Sequence, residues 1–265
     1  MEIVSRRKFI KMVTYLGIST FLFTRSGPTS RVRAADPQGR TYVMLARTFQ
    51  GDFRFEPMGL HVEPGDRVVW LQLSDYHTTT AYHPDNRKEL RIPSGASSWD
   101  SGIFGLDRAE LTFTYTVTVP GIYDYFCIPH ELLGMVGRLV AGTVDLDHLP
   151  AYAQEAGKFP AVAEIVGRRG ILFRWEARLN APIFAAFEKR WNDVKSVTAQ
   201  LLDDYRSGRN GVDILSDLLD AGAAEAFQAG LIELATAGSE SEGADYNTIL
   251  KLSDALKQHL RAAHR

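Results

Sequence analysis

A thiol, an imidazole and a thioether fall within nine residues of this chain: Cys127, His130 and Met135, at Cys-x2-His-x4-Met spacing. Soft sulfur ligands favour Cu(I) and imidazoles suit Cu(II). A thiolate and two imidazoles in a trigonal plane, with a weak axial Met, make an electron-transfer site of the blue-copper kind. A loop between strands can deliver three of those ligands, so the second imidazole must come from elsewhere. His77 is preferred, because it closely follows the strand beginning Val68-Val69-Trp70, where a rigid scaffold can hold it. His83, beside Pro84 in a polar loop, is the alternative. His61, in a predicted strand, and His148, His259 and His264, scattered through the second half, are not expected to bind metal. The expected cofactor is one copper ion, held by His77, Cys127, His130 and Met135.

The neighbours of the thiol restrict what such a site could do. Cys127 stands between Phe126 and Ile128, neither of which can bind a metal. Multicopper oxidases and copper nitrite reductases place His beside their thiolate to pass the electron to a second centre. There is one Cys in the chain, which excludes a dinuclear site bridged by two cysteines, a Cys-rich zinc site and a disulfide framework. Four protein ligands leave no open position for a substrate, so electron transfer is expected and an enzyme is not.

Such a site needs a rigid frame, and residues 41–144 supply one. Leu111, Phe113, Tyr115, Val117 and Val119 alternate with four threonines, the period of a half-buried strand. Other short apolar runs are bounded by Gly51-Asp52, Pro57, Pro64-Gly65-Asp66 and Pro120-Gly121. Together they predict an all-β Greek-key sandwich. From about residue 148 the period changes. Trp175, Leu179, Ile183, Phe187, Trp191, Val194, Val197, Leu201 and Tyr205 recur every three or four residues, the apolar stripe of helices. Pro182 is read as the start of a second helix, and Ser207-Gly-Arg-Asn-Gly211 as a stop. Further helices are predicted over Ile214–Leu219, Ala223–Ala235 and Tyr246–Leu260. The expected organisation is a signal over 1–34, a copper domain over 35–147 and a separate α-helical domain over 148–265.

The N-terminus reads as an address. Ser5-Arg6-Arg7-Lys8-Phe9-Ile10-Lys11 precedes a short uncharged run, Met12 to Thr24, and then Val32-Arg33-Ala34. This string resembles a twin-arginine export signal, which implies a periplasmic or other extracytoplasmic location. Removing residues 1–34, with seven basic and one acidic residue, leaves 23 basic and 31 acidic residues and a net charge of −8. That balance disfavours nucleic acid and leaves room for a basic protein partner.

Further marks converge on the strands. They are Phe55-Glu-Pro57, Val62-Glu-Pro-Gly-Asp-Arg-Val-Val-Trp70, His77-Thr78, Pro120-Gly-Ile-Tyr-Asp-Tyr-Phe-Cys127, Pro129-His130 and Gly134-Met-Val-Gly137. Over residues 41–142 the chain resembles the cupredoxins of the plastocyanin/pseudoazurin branch. The resemblance implies copper ligands at His77, Cys127, His130 and Met135, and an electron port at the exposed edge of His130. It implies redox partners such as a cytochrome or an oxidase. The insertion between His77 and Ser101 departs from compact members of that family, and the helical half has no counterpart in them. The competing reading is a copper-binding or scaffold protein whose helical half binds a partner or drives self-association.

Overall fold

The computed structural model describes residues 39–107, 109–154, 158–240 and 245–264, so the stretch read as an export signal lies outside the described residues. Among the described residues the turn signals punctuate eight strands: β1 (Thr41–Phe49), β2 (Asp52–Glu56), β3 (Gly59–Val62), β4 (Arg67–Gln72), β5 (Thr80–Ala81), β6 (Thr112–Thr116), β7 (Gly121–Phe126) and β8 (Val136–Ala141). They form two four-stranded sheets, ordered β2-β1-β4-β6 and β3-β8-β7-β5. Each sheet contains one parallel pair, β1 with β4 and β3 with β8, and parallel neighbours need a crossover, so the chain passes from one sheet to the other between them. The alternating run at 111–119 pairs with β4 only over Thr112–Thr116, although Tyr115 and Val117 are buried as the alternation predicts.

Met44, Phe55, Leu60, Trp70, Tyr123, Tyr125, Cys127, Met135 and Leu139 fill the space between the sheets. Burying an aromatic or large aliphatic side chain there contributes roughly 1.5–3 kcal/mol. At Gly137 a Cβ would stand 2.2 Å from the Tyr125 ring, so the sheet bearing the metal-ligand loop can close only over a glycine.

Seven α-helices follow among the described residues: α1 (Ala151–Gln154), α2 (Val162–Val166), α3 (Gly170–Phe187), α4 (Trp191–Arg206), α5 (Val212–Leu218), α6 (Ala221–Ser239) and α7 (Tyr246–Ala263). Asp220 and Asp245 cap α6 and α7 by accepting the N–H of Ala223 and Thr248. The helix start expected at Pro182 is not there. Pro182 lies inside α3, and the chain turns at Glu188–Arg190 instead, with Lys189 at φ +57°. An internal proline costs about 3 kcal/mol. Leu179, Ile183 and Ala186 are all buried around it, and that burial offsets the loss.

The helices have their own core around Trp175, Leu201, Phe227, Leu231 and Leu256. They also cover the outer face of the first sheet, where Ile183 packs on Val43, Leu45 and Leu71. Sandwich and helices therefore belong to one compact unit, Asp36–Arg265. No helix among the described residues is long and apolar enough to cross a membrane.

Candidate metal centre

Cys127 directly follows β7, Met135 directly precedes β8, and the loop between them is closed by its own backbone. Cys127 N–H donates to the Met135 carbonyl at 3.0 Å, and Met135 N–H to the His130 carbonyl at 3.1 Å. Gly134 takes φ +92°, the left-handed conformation that lets the chain reverse before Met135. His77 comes from the other side of the sandwich, five residues beyond β4. The buried Gln72 side chain accepts its backbone N–H at 3.0 Å and fixes the approach.

These elements bring three donor atoms to one point. Cys127 Sγ lies 3.6 Å from His77 Nδ1 and 3.5 Å from His130 Nδ1, and the two Nδ1 atoms are 3.2 Å apart. Donors about 2.0–2.3 Å from a shared ion in a trigonal plane stand about 3.5–3.8 Å from one another. The observed triangle is close to that size, so the residues fit a small thiophilic cation. His77, Cys127, His130 and Met135 form a cluster typical of a type 1 copper site, with His77, Cys127 and Met135 buried and His130 partly exposed.

The free imidazoles favour the same use, whereas the protonated thiol opposes it. Burial pushes the Cys127 thiol up to about 11, against the opposing effect of the Thr78 N–H. Burial, and then the neighbouring charge of His130, brings His77 down to about 4. Burial lowers His130 as well. At neutral pH both imidazoles are therefore free-base donors, while the thiol keeps its proton until a cation displaces it.

The alternative first ligand is elsewhere. His83 Nδ1 accepts the Asp85 N–H in a short turn and does not join the cluster. His61 is tied to the Gly142 carbonyl at 2.9 Å, and His148 and His264 face Asp145 and Glu164.

Two residues that sequence reasoning missed shape the site. Thr78 N–H donates to Cys127 Sγ at 3.3 Å, and Thr78 Oγ1 accepts the Ile128 N–H at 2.8 Å. One threonine thus ties the His77 segment to the thiol and to the residue that follows it. Its place beside His77 was visible, but not the direction of its hydroxyl. Phe53 of β2 stacks on the His130 ring, with centroids 3.9 Å apart and planes 9° from parallel. Nothing in the alternation of β2 distinguishes that ring from an ordinary core aromatic.

Exposed apolar side chains stand in the two segments that carry the imidazoles, beside the exposed Asp75, whose charge acts on both rings. Leu132 is 90% exposed, and Tyr76, Ile128 and Leu133 are each more than half exposed. Glu131, next in the loop, is held by Tyr82 Oη at 2.7 Å and Lys88 Nζ at 2.6 Å, both from the insertion after His77.

Comparison with known proteins gives the same limits. The model of copper binding proteins of the plastocyanin/azurin family matches residues 42–142. Pseudoazurin of Paracoccus pantotrophus is 34% identical over 99 residues, covering 37% of this chain and 60% of that protein. The minor plastocyanin isoform of Arabidopsis thaliana is 30% identical over 102 residues, covering 36% of this chain and 55% of that protein. Among solved structures, a pseudoazurin from Sinorhizobium meliloti aligns with TM-score 0.35 and 26% identity, over 48% of this chain and 98% of that one. The chain thus spans less than two thirds of the first two relatives, and the family match ends at residue 142, before the first helix.

Proposed function

We propose that the protein, whose residues 42–142 match the copper binding proteins of the plastocyanin/azurin family, is an exported one-electron carrier working between redox proteins. The observation that carries this reading is the triangle of two imidazole nitrogens and one thiol sulfur, backed by Met135. His77, Cys127, His130 and Met135 would hold copper, and the bound ion would supply a single reversible electron by cycling between Cu(II) and Cu(I). The protein's part is to keep the donors still. Backbone bonds across the loop, Gln72 behind His77 and Thr78 beside the sulfur all resist movement as the charge changes.

His130 is the ligand nearest solvent, and the apolar rim of Tyr76, Ile128, Leu132 and Leu133 suits brief docking of a partner that exchanges electrons through its edge. The net charge of −8 left after residues 1–34 would steer a basic partner, such as a cytochrome, toward the chain. Export rests on the residues around Arg6-Arg7; changing both to Lys should keep the precursor inside the cell.

The test is the visible and electron paramagnetic resonance spectrum of the purified protein with Cu(II). An intense thiolate-to-copper band with narrow copper hyperfine splitting, both absent in Cys127→Ser, is the expected result. A colourless protein that takes up no copper would overturn the reading.

A further inference from the structure

The seven helices have no part in the metal site, yet a buried charge network joins them to the strand that carries Phe53. In β2 the side chains alternate. Phe53 and Phe55 face inward, toward His130 and Tyr125, with Phe55 centred 4.7 Å from the Tyr125 ring. Arg54 and Glu56 face the other way, toward the helices. β2 is also an edge strand, paired only with β1.

On that outward face Glu56 is buried with four cations around it. Arg47, Arg54, Lys257 and Arg261 lie 3.0, 3.2, 3.2 and 2.9 Å from its carboxylate oxygens. Two of the four belong to α7. Lys257, itself fully buried, also reaches Asp254 at 2.8 Å and the Asn180 side chain of α3 at 3.1 Å. Asn180 Nδ2 in turn donates to the Glu56 carbonyl at 2.8 Å and the Val43 carbonyl at 3.0 Å. The backbone and side chain of Glu56 are therefore both gripped by helices.

A buried network of this kind is a poor source of stability, because desolvation consumes most of the Coulombic gain. What it does well is fix position: Glu56 has one place where four cations and an amide meet it. Three residues away along the same short strand, Phe53 lies flat on His130. We propose that the helical region serves as a clamp on β2, in which Lys257, Arg261 and Asn180 position Phe53 and, through it, the imidazole of His130.

Phe53 touches the site, whereas Lys257, Arg261 and Asn180 are positioning residues that act through it. The geometric part of the proposal stands without any metal. Its redox consequence rests on the reading of His130 as the ligand through which electrons leave.

The test uses the full chain, copper-free, with 13C-labelled histidine. Stacking under Phe53 should displace the His130 ring resonances upfield, and Phe53→Leu should abolish that displacement and serve as the reference. Lys257→Met, and separately the milder Arg261→Gln, should move the same resonances toward the Phe53→Leu position. Asp204→Asn breaks a buried ion pair elsewhere in the helices and should lower the melting temperature without moving them. After copper loading, the reduction potential should shift in the same direction in Lys257→Met, Arg261→Gln and Phe53→Leu. If Lys257→Met does not fold, Arg261→Gln decides the matter alone. Wild-type His130 resonances in a folded but less stable clamp variant would overturn the proposal, whatever the copper spectra show.

Discussion

Glu56→Gln is the substitution whose consequence can be worked furthest. Burial by itself would raise the Glu56 carboxyl, but Lys257, Arg261, Arg47 and Arg54 outweigh that and hold it at about 2, against an ordinary value of 4.5. A difference of that size corresponds to roughly 3 kcal/mol of folding stability, at about 1.4 kcal/mol per unit. Because the folded-state value is depressed, this contribution is complete above the unfolded value near 4.5. It is lost as the pH falls from there toward 2. Glutamine keeps the shape and removes the charge, leaving four cations facing one another. Breaking a buried ion pair from one side costs about 3–5 kcal/mol. Urea denaturation of wild type and Glu56→Gln at pH 7 should differ by that amount, and the difference should shrink by roughly 3 kcal/mol between pH 5 and pH 2. Comparing the two proteins at each pH cancels the other carboxylates. A gap that stays constant over that range would mean that the fold does not depress the Glu56 carboxyl, and the clamp would lose its physical basis.

Other perturbations have equally definite outcomes. Ending the chain after residue 147 removes Lys257 and Arg261 from Glu56 and uncovers Val43, Leu45 and Leu71; circular dichroism should show loss of cooperative unfolding, and a blue fragment melting like the whole chain would establish an autonomous copper domain. Gly137→Ala drives a methyl into the Tyr125 ring and should cost about 1–3 kcal/mol or more in thermal denaturation, whereas an unchanged melting temperature would show that the ring can move aside. Pro129 has no N–H to offer the neighbouring sulfur. Pro129→Ala supplies one, which should withdraw density from sulfur and raise the reduction potential in redox titration; a lowered or unchanged value counts against that reasoning.

Three residues of the cluster were legible because their spacing is local. Cys127, His130 and Met135 sit in one loop, and the run before it carries the strand pattern that places the thiol at a sheet end. His77 needed long-range information, since sequence offers His83 as well. What selects His77 is the parallel pairing of β4 with β1 and the bond from Gln72, neither of which has a local signature. Phe53 was hidden for the same reason: β2 is short, and its inward aromatic could have met any core neighbour. The helix break expected at Pro182 failed because backbone propensity was weighed without the tertiary burial of Leu179 and Ile183 on either side. Nothing in the sequence marks Arg47, Arg54, Lys257 and Arg261 as members of a buried network, since one-dimensional alternation separates inside from outside but cannot show that the outside is covered again.

That second covering explains why polar residues stand where apolar ones would bury more area. A strand shifted by one residue exchanges its two faces. Had the outer face of β2 been aliphatic, as that of β1 and β4 is beside Ile183, a slipped strand would still have found an apolar surface on either side. With Arg54 and Glu56 there, a slip would bury charge in the aromatic core and turn Phe53 and Phe55 toward Lys257 and Asp254. Either misplacement costs several kcal/mol. Charge on one face and aromatic rings on the other thus leave β2 a single register, the one in which Phe53 meets His130. On this argument, replacing Glu56 and Lys257 together by Leu and Met should leave the His130 resonances broadened or doubled. One sharp wild-type set in the double variant would show that packing alone is enough to set the register.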